Sequence, residues 1–127
     1  MFFKTIGLAS ALVLASAVPA LAASSCAEPI APAAVAGATA TSAQMNAAHD
    51  DVMTFLKQSD DYQMCVLKEL KDANDAAKKA KKDPDPALET EVKARIQANQ
   101  SLKEKVGAEF NASVGDYKKA HPEPAKP

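Results

Sequence analysis

From Ser42 to Lys82 the chain runs without a proline or a glycine, and then meets Asp83-Pro84-Asp85-Pro86. Pro84 drives Asp83 out of helical geometry and has no backbone N–H to donate, so no helix can cross this point. One long helix is therefore predicted before the break, with Thr41 or Ser42 as its N-cap. Asp85 can cap a second helix with Pro86 at its first position, running from about Pro86 to Lys119. His121-Pro122-Glu123-Pro124 ends it, and residues 120–127 read as a frayed tail.

Both segments carry a helical stripe. In the first, Met45, Val52, Phe55, Leu56, Tyr62, Val66, Leu70, Ala73, Ala77 and Ala80 recur at steps of three, four and seven, with Ser59 filling a gap. In the second, the stripe is Leu88, Val92, Ile96, Asn99, Leu102, Val106, Phe110, Val114 and Tyr117. Lys68 and Asp72, Lys71 and Asp75, and Asp75 and Lys79 stand i,i+4 on the opposite, solvated face of the first helix. So short a break predicts an antiparallel two-helix hairpin, the fold class being all-α. A register pairing Leu70 with Asn99, Tyr62 with Val106 and Phe55 with Val114 also sets Ala77 against Val92, Ala73 against Ile96 and Ser59 against Phe110, small residues opposite large ones.

Ahead of the helices lie two other regions. Residues 1–22 read as a secretory signal, with Lys4, an apolar run from Ile6 to Val18, and the small-x-small pattern Ala20-Leu21-Ala22 predicting cleavage after Ala22. That run is too short and too rich in Ala and Ser to remain as a membrane span, so no integral membrane segment is expected after cleavage. Residues 23–41 contain Pro29 and Pro32, many alanines and one glycine, without helical or strand periodicity, and read as an extended arm. Residues 42–119 form the hairpin domain.

Cleavage leaves 14 basic residues against 16 acidic ones, a net charge of -2, which gives no electrostatic bias toward nucleic acid. Cys26 and Cys65 follow an export signal and stand far apart in the chain, a context that favours a disulfide over a CxxC redox or metal motif. The reach of the chain permits it. A helix from Thr41 to Cys65 climbs about 36 Å, while the steps from Cys26 to Thr41 span up to roughly 50 Å when extended. The arm can thus run back beside helix one and be stapled to it at Cys65. Closing a loop of about 40 residues stabilises a fold by roughly 4 kcal/mol in the chain-entropy model. A competing reading lipidates Cys26, since Ala23-Ser24-Ser25 places small residues before it; that would leave Cys65 unpaired.

No constellation of residues names a reaction. His49 and His121 have no nucleophile arrangement around them, there is no glycine-rich phosphate loop, and no cofactor is implied. The sharpest local pattern is Met45, His49 and Met53, whose i,i+4 spacing sets two thioethers and an imidazole along one helical face, a donor set suited to Cu(I) or Ag(I). Packing of Met45 in the seam explains the same residues without a metal. Asp50-Asp51 and Asp60-Asp61 diverge by about 100° per residue and form no chelate. Lys78, Lys79, Lys81 and Lys82 complement a helix C-terminus. Asn99 is a polar residue in an apolar seam, of the kind that fixes register.

The order Cys26-Ala27-Glu28-Pro29, Asp61-Tyr62 with Cys65, Asn99, Phe110-Asn111 and Tyr117-Lys118 resembles small uncharacterised exported proteins of Gram-negative bacteria. That resemblance implies a periplasmic helical hairpin with one disulfide and no assigned activity. The expectation is a non-enzymatic periplasmic binding or structural protein, with a soft-metal binder as the alternative. Two helices bury only one stripe each, so a homodimer forming a four-helix bundle is a natural way to complete the core.

Overall fold

The computed structural model describes residues 24–123, which form two helices and no strands. The predicted signal, residues 1–22, lies outside the described residues. The first helix, α1, spans Ser42–Lys79, and the second, α2, spans Pro86–Ala120. Thr41 caps α1 through a capping box: its hydroxyl accepts from Gln44 N, and the Gln44 side chain accepts from Thr41 N at 2.8 Å. Asp85 caps α2 by accepting from Ala87 N at 2.9 Å, with Pro86 in the first turn where a missing N–H costs nothing.

α1 stops three residues short of the proline-free limit at Lys82, and its C-terminus shows why. Lys82 N donates to Ala77 O at 2.9 Å and Lys81 N to Lys78 O at 3.0 Å, while Lys81 takes a positive φ of 53°. This is a Schellman closure, which consumes residues beyond the last helical one to satisfy the final carbonyls. Residues 82–85 then run without regular structure into Asp85.

Two clusters form the core. Cys26, Tyr62, Val66 and Val92 make one, with Cys65, Leu70, Leu88 and Ile96 packed around it. Val52, Phe55 and Val106 make the other, flanked by Ala31, Leu56, Leu102 and Phe110. Contacts thus follow opposite order along the two helices: later residues of α1 meet earlier residues of α2. The register differs from the one the stripes suggested. Asn99 meets Ser59 and Gln63 rather than Leu70, and Phe55 clusters with Val106 rather than Val114. The link explains the slip. Extended residues advance about 3.3 Å each against 1.5 Å in a helix, so the segment after the Schellman turn takes up length beside the end of α1 before α2 begins.

Cys26 and Cys65 stand at disulfide distance, with Cα atoms 5.8 Å apart. The arm between Ser24 and Thr41 lies against both helices, where the sequence had suggested helix one alone. Ser24 reaches Arg95 of α2, Ala31 joins the second cluster, and Ser113 of α2 donates its hydroxyl to Val35 O at 2.7 Å. Gly37 makes the closest approach. A Cβ there would stand 1.8 Å from Ser113 O, so only glycine lets the two backbones meet. No helix among the described residues is long and apolar enough to cross a membrane.

Candidate functional site

The densest polar cluster gathers around Glu69, on the flank of α1 one turn beyond Cys65. The arm brings Ser24 and Ser25 to it. Ser25 N donates to Oε1 at 2.7 Å and Ser25 Oγ to the same oxygen at 2.9 Å, while Ser24 Oγ donates to Oε2 at 2.8 Å. Arg95, from α2, lies 3.5 Å from Oε2 through Nη1 and donates from Nη2 to Ser24 Oγ at 2.6 Å. Its Nε donates to Tyr62 Oη at 3.1 Å. Three separate segments of chain therefore converge on one carboxylate.

Desolvation pushes the Glu69 pKa up, but the hydrogen bonds from Ser24 and Ser25 and the charge of Arg95 together outweigh it and leave it below its ordinary value of 4.5. The carboxylate is held in its charged form. Beside it, Cys26 Sγ, Cys65 Sγ and a Glu69 oxygen lie within 4.8 Å of one another. With the sulfurs bonded to each other no thiolate is offered, and the carboxylate is already occupied by donors, so the cluster fits a clamp better than a metal seat. An open cleft of about 410 Å³ adjoins it, lined among others by Glu28, Pro29, Gln58, Asp61 and Tyr62.

A second polar contact lies in the seam. Asn99 is fully buried; its Oδ1 accepts from Gln63 Nε2 at 2.8 Å and its Nδ2 donates to Ser59 Oγ at 3.3 Å, with Ser59 equally buried. Among the described residues no buried side-chain polar atom lacks a partner. Of the residues singled out as soft-metal donors, Met45 is buried in the core, whereas Met53 is 54% exposed. His49 lies between them in sequence, its ring centroid 6.0 Å from that of Phe110 and its Nδ1 3.3 Å from Asp50 Oδ1. Positions 45, 49 and 53 turn through about 80° of the helix circumference, which carries the series from the core to solvent. Asp60 pairs with Lys103 of α2, and Asp61 with Lys57 at 3.1 Å.

The sequence pattern gives Glu69, Arg95 and Ser113 no role, and marks Ser24 and Ser25 only as small residues ahead of Cys26. One signal was available: Arg95 is the only arginine in a chain whose other basic residues are all lysine. A planar, multi-donor cation is what a site built from three segments needs. The serines carried no comparable signal, because their roles depend on the path of the arm. No family model, curated protein or solved structure matches the chain.

Proposed function

We propose that the chain is an exported, periplasmic, non-enzymatic protein that acts by binding or structural interaction through its helical surfaces. Its scaffold on this reading is an antiparallel two-helix hairpin whose N-terminal arm is stapled to α1 by Cys26–Cys65. The observation that carries the reading is the use made of the polar side chains inside the fold. Glu69, Arg95 and the arm serines engage one another, and Asn99, Ser59 and Gln63 do likewise, so this chemistry holds segments together. What faces solvent on the helices is mostly charge in i,i+4 pairs, interrupted by a few large apolar residues. A cysteine pair at bonding distance suits an oxidising compartment.

Expression of the full chain in a Gram-negative host, osmotic-shock fractionation and intact-mass measurement test the proposal. The expected product lies in the periplasmic fraction, begins at Ala23, carries no lipid, and gains two hydrogens on reduction. Cytoplasmic retention of a chain with free thiols, or a diacylglyceryl adduct on Cys26, overturns it.

A further inference from the structure

Three of the four large hydrophobic residues exposed among the described residues sit on α1: Met53 at 54%, Met64 at 68% and Leu67 at 52%. They do not belong to the core stripe. With Leu56, which is only partly buried, they fall in positions 53, 56, 64 and 67, and Asp60 stands at the centre. At about 100° per residue these five positions occupy an arc of about 80°, centred about 130° around the helix from the line of Phe55, Ser59, Tyr62 and Val66. They form a second stripe about 21 Å long on the same helix.

The stripe is symmetric about residue 60. Met53 and Leu67 stand seven residues to either side, and Leu56 and Met64 four. An antiparallel copy of α1 laid across a two-fold axis at Asp60 therefore sets Met53 against Leu67, and Leu56 against Met64, at every repeat of the seam. This is the self-complementarity that an isologous interface requires. Charge agrees with it. Asp60, at the axis, faces its own copy, but each carboxylate is already paired with Lys103 of its own α2, whose side chain is only 18% exposed, so the two do not meet as bare like charges.

We propose that this face of α1 is a homodimer interface, two copies pairing α1 against α1 in antiparallel fashion about Asp60. The proposal names the partner for the interaction reading above and rests on that reading. A strip of this length falls short of the roughly 800 Å² per partner of a standard stable interface, so the dimer is a weak one that forms at high protein concentration. Methionines suit such a surface because their flexible thioethers adapt to a partner at small conformational cost.

Sedimentation equilibrium of the mature protein from about 10 µM to 1 mM, a range matched to weak interfaces, tests the pairing. The wild type is expected to move from monomer to dimer across it. Met64→Lys combined with Leu67→Lys is expected to weaken the dimer about tenfold or more while leaving helical circular dichroism unchanged, since both positions are exposed. A second measurement fixes the geometry: Met53→Cys and Leu67→Cys proteins, mixed and oxidised, are expected to cross-link to each other, and neither to itself. A wild type that stays monomeric at 1 mM, a dimer insensitive to the double lysine variant, or self-cross-linking of either cysteine variant without the mixed product overturns the interface. Periplasmic recovery and the state of Cys26 and Cys65 are read separately, so loss of this interface leaves the export reading standing, and the converse also holds.

Discussion

At Glu69 the structure concentrates more directed hydrogen bonds on one side chain than anywhere else among the described residues, and the consequence is a pH dependence with a definite sign. Its folded-state pKa is depressed, with desolvation opposing and the serine and Arg95 contacts prevailing. Such a group contributes stability that is fully present above its ordinary value of 4.5 and is lost as pH falls through the lower folded value. Glu69→Gln is expected to lower stability at pH 7 and to flatten the decline in urea midpoint on acidification below pH 4.5, relative to wild type; an unchanged acid profile contradicts the clamp. Gly37 and Asn99 show the other two ways a residue can matter here. Gly37 acts by what it lacks, because any side chain would strike Ser113 O. Asn99 acts by meeting both Ser59 and Gln63, which holds the two helices at a single register. Its role could be read from the apolar stripe it interrupts. Its partners could not, since a polar residue in a seam says nothing about which turn of the other helix it meets.

Among the elements, the helices were legible because their signals are local. Thr41, Asp85 and Pro86 act within one turn of where they stand, and both starts fall at those caps. The end of α1 was harder to place, because absence of proline permits a helix without requiring one. Chain reversal before Pro84 is achieved at Lys81, a β-carbon-bearing residue in the left-handed region where glycine is ordinarily preferred. Lys81→Gly is therefore expected to raise stability by about 1 kcal/mol, read as a higher urea midpoint with an unchanged slope. A lower midpoint would show that the lysine side chain makes a compensating contact. The arm was legible as irregular, from Pro29 and Pro32, but not its route across both helices. That route depends on Ser113, Arg95 and Gly37, residues more than ten positions from their partners, which no local pattern links.

At the scale of the whole fold the interior is thin: among the described residues nine hydrophobic ones are buried, and two of these, Cys26 and Ala40, come from outside the helices. A core divided into two small clusters leaves the chain dependent on the connection between Cys26 and Cys65. Reduction with a dithiol is expected to lower stability by roughly 4 kcal/mol on the loop-entropy model, seen as a large drop in urea midpoint, with loss of protection at amides of the arm preceding that of α1 and α2. Equal stability of the oxidised and reduced forms would mean that Ser24, Ser25 and Gly37 suffice to hold the arm.

The position of Cys65 near the middle of a 38-residue helix also determines how the chain would carry a mechanical load. Tension applied ahead of Cys26 passes through the sulfur–sulfur bond directly into α1 at Cys65, bypassing residues 27–64. The arm and the first half of α1 form a covalently closed loop that a pulling force leaves slack, so extension proceeds only through the rest of α1, the link and α2.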